Sequence, residues 1–560
     1  MTLRRRSRRG TLGRTALPLG APALAVVAVT VVVASLSLGL VEAAFGGTAA
    51  VHAPAPSVAT VLRAAAAEPN PYSTGMPAQL AIGQDNLTWG VAGSGATGLD
   101  FPVEPVLDAS GDLWLTDTGH NRVLEFVPPF TTGMAASVVL GQSSFSGTAA
   151  ATSQTGLNWP TSVAFNGAGD LWVSDSDNNR VLEYAPPFST GEAATLVLGQ
   201  ATFTTSNAAT SASNLSYPAL LAITSSGDLL VTDSNNNRVV EYAPPFTDGM
   251  SASVVLGQAS LTTSAAGTSA TNMSNPQAVT VNAAGDVFVA DVENNRVLEF
   301  TPPLSNGMAA SVVLGQATFA ARGAAATAVG MSDPVGVAVD ARGDLWVADA
   351  SNNRVLEYVP PFATGMAASL VLGQVNLTQS VRAATATGLD YPLGVSLDTH
   401  GDLWVADSDN NRVVEYVPVE FPVQFAEGGL AYKTNWSVTF GGTTHSSTTG
   451  WITFPQVNGS YAWSVGSVGG YAVAPASGTA FVNGTTTTVV IVFTSTSTGA
   501  AASWFWPVVT SVLLVVFVID TALAVMLFLR GRRPTARPPP QVVEPASSPP
   551  AGGGPPPPVS

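Results

Sequence analysis

The chain has no cysteine in 560 residues, so neither disulfides nor thiolate metal ligands contribute to its fold. Charge is scarce too. Asp, Glu, Lys and Arg make up 10% of the residues, against about a quarter in an average soluble domain. That disfavours a helical cytoplasmic enzyme and fits an all-β exported protein held together by packing. Basic clusters are missing as well: between residues 44 and 503 there are 11 basic and 34 acidic residues, a net charge of −23. Such a surface repels a phosphate backbone, which excludes nucleic acid as a partner and leaves cations or basic partners open.

The basic residues that exist are concentrated at the ends, and they set an expected topology. The N-terminus reads RRRSRR, then an apolar run from Ala23 to Leu40, then Val41-Glu42-Ala43. This is the pattern of a signal peptide or an N-terminal membrane segment over 1–43, with cleavage expected after Ala43. Ser7 to Leu12 partly matches a twin-arginine export motif, and ordinary secretory export is the other reading. Residues 44–77 are a linker. Residues 504–529 carry one charge, Asp520, and are followed by Arg530, Arg532 and Arg533, which predicts a transmembrane helix with its C-terminal side cytoplasmic. Asp520 is either protonated in the bilayer or paired with a partner helix. The tail, 530–560, is rich in Pro, Gly and Ser and is expected not to fold.

Between these segments the sequence repeats. Gly-Asp begins at Gly111, Gly169, Gly227, Gly285, Gly343 and Gly401, and a Gly-Gln pair ends at Gln84, Gln142, Gln200, Gln258, Gln316 and Gln374, both with a 58-residue period. Each period holds four short strand-like segments, in the fifth copy VGVAVD, GDLWVAD, NRVLEYV and SLVLGQ. Four strands repeated six times predict a six-bladed β-propeller over 78–418. The first LGQ-type segment precedes the first complete blade and the last blade lacks one, so the N-terminal strand is expected to close the last blade.

The stretch GDLWVSDSDNNRVLEY at 169–184 and its copies resemble the NHL repeat family, with a longer period whose excess lies between LGQ and the next Pro. The resemblance implies that residues around Pro102, Pro160, Pro218, Pro276, Pro334 and Pro392 ring the channel mouth. Asp117, Arg122 and Glu125 recur in every blade, and a feature present six times does not mark one asymmetric site; they read as turn formers and ion pairs. DSDNN at 175–179 and 407–411 begins like a calcium loop but lacks its downstream Gly and Glu, so it reads as turn chemistry.

The asymmetric positions are therefore the candidates for binding. Before each Pro stand Phe101, Trp159, Tyr217, Asn275, Asp333 and Tyr391, and just after two of them stand the polar outliers Glu104 and Gln277. An aromatic crescent beside polar groups suits a sugar or a peptide side chain; the alternative is that the aromatics pack beneath the long loops. Six-bladed lactonases and amidating lyases would imply several His or carboxylate ligands in the channel. Here His120 and His400 fall in turns on opposite faces, so no catalytic residue, metal ligand or cofactor is assigned.

Residues 419–497 leave the repeat and alternate as strands, including WSVTF, WITF, YAWSV and TVVIVF, which predicts a small β-sandwich. The stretches NWSVTFGGTTHSSTTGWITF, NGSYAWSVGSVGGY and NGTTTTVVIVF resemble membrane-proximal modules of archaeal surface proteins, implying a stalk. Sequons at Asn86, Asn214, Asn272, Asn376, Asn435, Asn458 and Asn483 suit an extracellular glycoprotein. The expectation is a single-pass cell-surface binding or adhesion protein, its propeller facing an extracellular protein or glycan. An extracellular lyase or hydrolase, or a surface sensor, is the alternative.

Overall fold

The structure is a computed structural model and describes residues 70–457, 459–482 and 486–496. The expected signal segment, most of the linker, the transmembrane helix, the tail and the sequons Asn458 and Asn483 lie outside these residues. Among the described residues no helix is long and apolar enough to cross a membrane.

Six four-stranded antiparallel sheets follow one another with the expected period. Blade 1 comprises Pro102–Leu107, Leu113–Asp117, Arg122–Phe126 and Val138–Leu140, from first strand to outermost. First strands of successive blades stand side by side in a ring, and that of blade 6, Pro392–Leu397, meets that of blade 1. The second strands read LWLTD, LWVSD, LLVTD, VFVAD, LWVAD and LWVAD and are buried along their whole length. Covered on both faces by neighbouring blades, they show near-continuous apolar runs where a one-sided strand would alternate. Trp404 of blade 6 clusters with Leu113 and Leu115 of blade 1, so side-chain packing also crosses the seam of the ring.

The two ends of the propeller are joined as the stagger of the two markers predicted. Leu80–Ile82 pairs antiparallel with the third strand of blade 6, Leu80 opposite Glu415 and Ile82 opposite Val413. Six fully buried arginines, Arg122, Arg180, Arg238, Arg296, Arg354 and Arg412, hold the long connections. In blade 1, Arg122 Nε donates to Asp117 at 2.6 Å, Nη1 donates to the Phe145 carbonyl in the following connection, and Nη2 donates to Gly95 and Gly98 in the preceding one at 2.9 and 3.0 Å. A buried ion pair stabilises only when its remaining donors are also satisfied, and this fork meets that condition. The repeated arginine is scaffold, as its sixfold recurrence suggested.

The described chain divides into two compact units. The larger runs through Phe425 and includes Thr453–Trp463 and Gly478–Val489; the smaller comprises Ala426–Ile452, Ser464–Ser477 and the residues from Val490. Eight strands between Glu420 and Ser495 form two four-stranded sheets. Opposed aromatics join the sheets within each unit: Phe425 meets Trp463 edge-on at 5.6 Å in the larger, and Trp436 meets Phe493 at 6.2 Å in the smaller.

Candidate functional site

The residue before each first-strand proline is left-handed. Phe101, Trp159, Tyr217, Asn275, Asp333 and Tyr391 have φ of 54, 57, 56, 54, 50 and 55°. For bulky side chains this is a costly backbone, and a neighbouring blade supplies the compensation. Each N–H donates to the side-chain carbonyl of an asparagine one blade back, for example Trp159 to Asn121 at 2.8 Å and Phe101 to Asn411 at 3.0 Å across the seam. Those asparagines are themselves left-handed, which their short polar side chains tolerate. Immediately after, the pairing of first and second strands shifts register, in blade 1 between Pro102 and Pro105.

Both polar candidates lie within this register shift. Glu104 is buried, and its carboxylate accepts the N–H of Val163 in blade 2 at 3.2 Å. Burial pushes its pKa up to about 8, against the opposing pull of the Ser162 hydroxyl and the Val163 N–H. Glu104 is thus mostly protonated at neutral pH and bridges two blades. Gln277 is buried too, and its amide donates to Asn275 at 2.9 Å. The sequence reading placed both at the channel mouth; in the structure both side chains are buried and hydrogen-bonded, Glu104 to the next blade and Gln277 to the rim residue Asn275. Behind the rim, Val103, Ala219, Leu220, Val335 and Leu393, contributed by four blades, belong to one buried apolar cluster, against which Phe101 and Tyr391 pack.

The rim itself keeps its asymmetry. Phe101 and Trp159 lie with ring centroids 5.9 Å apart and planes tilted by 31°. Tyr217 is buried at 8% exposure, while Phe101, Trp159, Asn275, Asp333 and Tyr391 are half-buried. Asp333 accepts the Ser351 hydroxyl at 2.7 Å. Tyr391 is pushed up to about 12 by burial and then by the charge of Asp333, so it stays a phenol donor. The connections leading to Phe101 and Tyr391 carry exposed apolar side chains that the sequence reading did not single out, Trp89 and Val91 in one, Val375 and Val381 in the other. Their signal was a large apolar residue in a Ser/Thr/Ala-rich loop.

The two propeller histidines are far from equivalent. His120 Nδ1 sits 2.9 Å from Asp117, in the place where Asn178 of blade 2 donates to Asp175 at 2.8 Å, so it is a scaffold replacement. His400 lies in the turn between the first two strands of blade 6, where one ligand atom each of Asp398, His400 and Asp402 come within 4.8 Å of one another. The sequence reading assigned no metal ligand there.

The NHL repeat matches residues 157–184, 215–242, 273–300, 331–358 and 389–416, the first three strands of blades 2 to 6. No curated protein matches the chain. Among solved structures, a streptogramin B lyase is 13% identical with a TM-score of 0.35, over 58% of this chain and 95% of that one. An auxiliary nutrient binding protein from Bacteroides ovatus is 13% identical with a TM-score of 0.41, over 61% and 75%. A gluconolactonase from Xanthomonas campestris is 13% identical with a TM-score of 0.37, over 61% and 99%. These likenesses bear on neither substrate nor site. Five matched repeats, six sheets in a closed ring and an N-terminal strand completing the last of them identify the chain as an NHL-repeat β-propeller protein.

Proposed function

We propose that this is a single-pass cell-surface binding or adhesion protein that offers the long-connection face of its propeller to an extracellular protein or glycan. The observation that carries this reading is the asymmetric rim: aromatic rings at four adjacent blades, with Phe101 and Trp159 in mutual contact and the flanking loops exposing Trp89, Val91, Val375 and Val381. Aromatic faces beside Asn275 and Asp333 offer stacking and hydrogen bonding together, the combination that small polar ligands and sugar rings need. The membrane attachment rests on the apolar run 504–529 and the arginines after it, and the stalk role on residues 419–497. Glycans fit the same picture: Asn376 is exposed and its side chain already accepts the Thr378 hydroxyl of its sequon at 2.8 Å.

The competing lyase or hydrolase reading needs reactive groups on the axis. The Glu104 carboxyl is committed to Ser162 and Val163, and the cluster behind the rim is apolar. Retention of the detergent-solubilised full chain on glycan and peptide arrays tests the proposal. Trp159→Ala with Phe101→Ala is expected to weaken retention at least about tenfold, the cost of losing one or two aromatic anchors, with the fold retained at the assay temperature. Undiminished retention by the double variant rules out the rim, and the class of array that retains the native chain says whether the ligand is protein or glycan.

A further inference from the structure

The turn between the first and second strands is built on one plan six times, which makes its exceptions informative. Its first residue caps the turn: Asp398 Oδ1 accepts the N–H groups of His400 and Asp402, both at 2.8 Å. Its last residue is always the Asp of Gly-Asp, and a Glu of the third strand stands opposite the residue two positions later, as Glu415 does opposite Trp404. Each turn therefore gathers carboxylates, and in three blades a side-chain donor offsets them. In blade 2, Asn166 donates to Asp170 at 2.8 Å, and in blade 4 Asn282 donates to Asp286 at 2.9 Å. Blade 3 uses the Ser226 hydroxyl on Asp228 at 2.6 Å.

Blades 1, 5 and 6 instead begin the turn with a second carboxylate, Asp108, Asp340 and Asp398. In blade 5 the answer is a cation: the Arg342 guanidinium lies 3.1 Å from Asp340, 2.7 Å from Asp344 and 3.4 Å from Glu357. Blade 6 repeats the three carboxylates as Asp398, Asp402 and Glu415, with His400 at the arginine's position. The imidazole is 83% exposed, with Nδ1 3.6 Å from Asp398 Oδ2, a distance that leaves the pair without a hydrogen bond.

A second observation concerns the indole beside the Asp398 carboxylate. In blades 1 and 5 the buried tryptophan six residues on, Trp114 or Trp346, donates its Nε1–H to the first carboxylate at 3.3 and 3.4 Å. Trp404 is as deeply buried, yet its Nε1 has no partner among the described residues. The Trp404 indole thus makes no hydrogen bond to Asp398, and one Asp398 oxygen lies in the group with His400 and Asp402.

We propose that Asp398, His400 and Asp402 bind a divalent transition-metal cation of the zinc type, flanked by Glu415, in the position that the Arg342 guanidinium fills in blade 5. One imidazole nitrogen with two carboxylate oxygens suits zinc and its neighbours better than magnesium or calcium, which prefer all-oxygen sites, and it leaves a coordination position for water. The site lies in a turn between the first two strands, at the opposite strand end from the rim residues, and so is separate from the binding reading above. Its consequence is structural. The Tyr72 hydroxyl donates to the Gly401 carbonyl inside this turn, so a cation there fixes the surface on which the N-terminal segment docks before it completes blade 6.

The test uses the full-length chain, stripped with chelator and dialysed against zinc or calcium at about pH 7.5, because metal affinity depends on pH. Zinc is expected to bind with one site per chain lost in His400→Ala and in Asp402→Asn, and to raise the melting temperature by mass action. His400→Arg, which copies blade 5, is expected to lose zinc binding while keeping the melting temperature of the zinc-loaded native chain. Because His400 is exposed, its two variants are expected to fold even where Asp402→Asn does not. Zinc affinity unchanged by His400→Ala, or no zinc bound by the native chain at roughly 100-fold molar excess over typical structural-site affinities, overturns the proposal. Equal loss in Asp112→Asn of blade 1 also overturns it, by placing the ion elsewhere.

Discussion

The guanidinium of Arg412 and the carbonyl of Leu87 are 325 positions apart in the chain and 2.5 Å apart in space. The same side chain holds Asp407 at 2.7 Å and the carbonyls of Thr385 and Gly388 at 2.9 and 3.1 Å. One arginine thus ties the last long connection to the segment that opens the propeller. The other five arginines join connections that are close in sequence; this one closes the ring.

Removing it should open the seam. Arg412→Ala leaves Asp407 buried without a counter-charge, and a loss of about 3–5 kcal/mol is expected. Arg412→Lys keeps the charge but cannot reproduce the fork, so most of that loss should remain. Urea denaturation at neutral pH measures both. A loss below about 1 kcal/mol for the alanine variant would mean that pairing of Leu80–Ile82 with the third strand closes the ring unaided.

Acidity should favour this fold. Burial is the main cause that raises Glu104 to about 8 and Asp344 and Asp402 to about 7. The folded state therefore holds protons that the unfolded chain releases above its ordinary carboxyl range. Stability from these groups is complete below about pH 4 and is lost as pH rises through 7 to 8. The urea midpoint is expected to be higher at pH 5 than at pH 8. Glu104→Gln, which removes the fully enclosed member, should reduce that difference. A midpoint that rises from pH 5 to pH 8 would show that these carboxyls ionise without penalty.

The propeller was legible because each marker repeats one physical task. The Gln of every Gly-Gln pair shows it: Gln142 donates to the Asn121 and Ala149 carbonyls, and Gln374 donates to Asn353 and Val381. A bond needed six times leaves a period. The candidate site was legible only in part. Phe101 and Trp159 come into ring contact, but the burial of Glu104 and Gln277 at the register shift after each proline was not legible, because no residue type announces a bulge. The turn of blade 6 shows the same limit. Asp-Thr-His-Gly-Asp and Asp-Ala-Arg-Gly-Asp both read as turns, and only the placement of Arg342 on three carboxylates shows what His400 has taken over.

The rim geometry depends on asparagines that the sequence reading treated as turn residues, and Asn411 shows how to separate their two contributions. Its φ is 53°; its side chain accepts the Phe101 N–H at 3.0 Å and donates to the Gly90 carbonyl at 3.1 Å. Asn411→Gly loses both bonds but keeps the left-handed backbone at no cost. Asn411→Ala loses both and adds a strain of about 1 kcal/mol, so the alanine variant should be less stable in urea by that amount. Both leave the Phe101 N–H without its partner beside the rim, and both should weaken retention on the arrays. If Asn411→Gly binds like the native chain despite lower stability, the bulge alone holds Phe101 in its left-handed conformation. The asparagine would then act only in closing the ring.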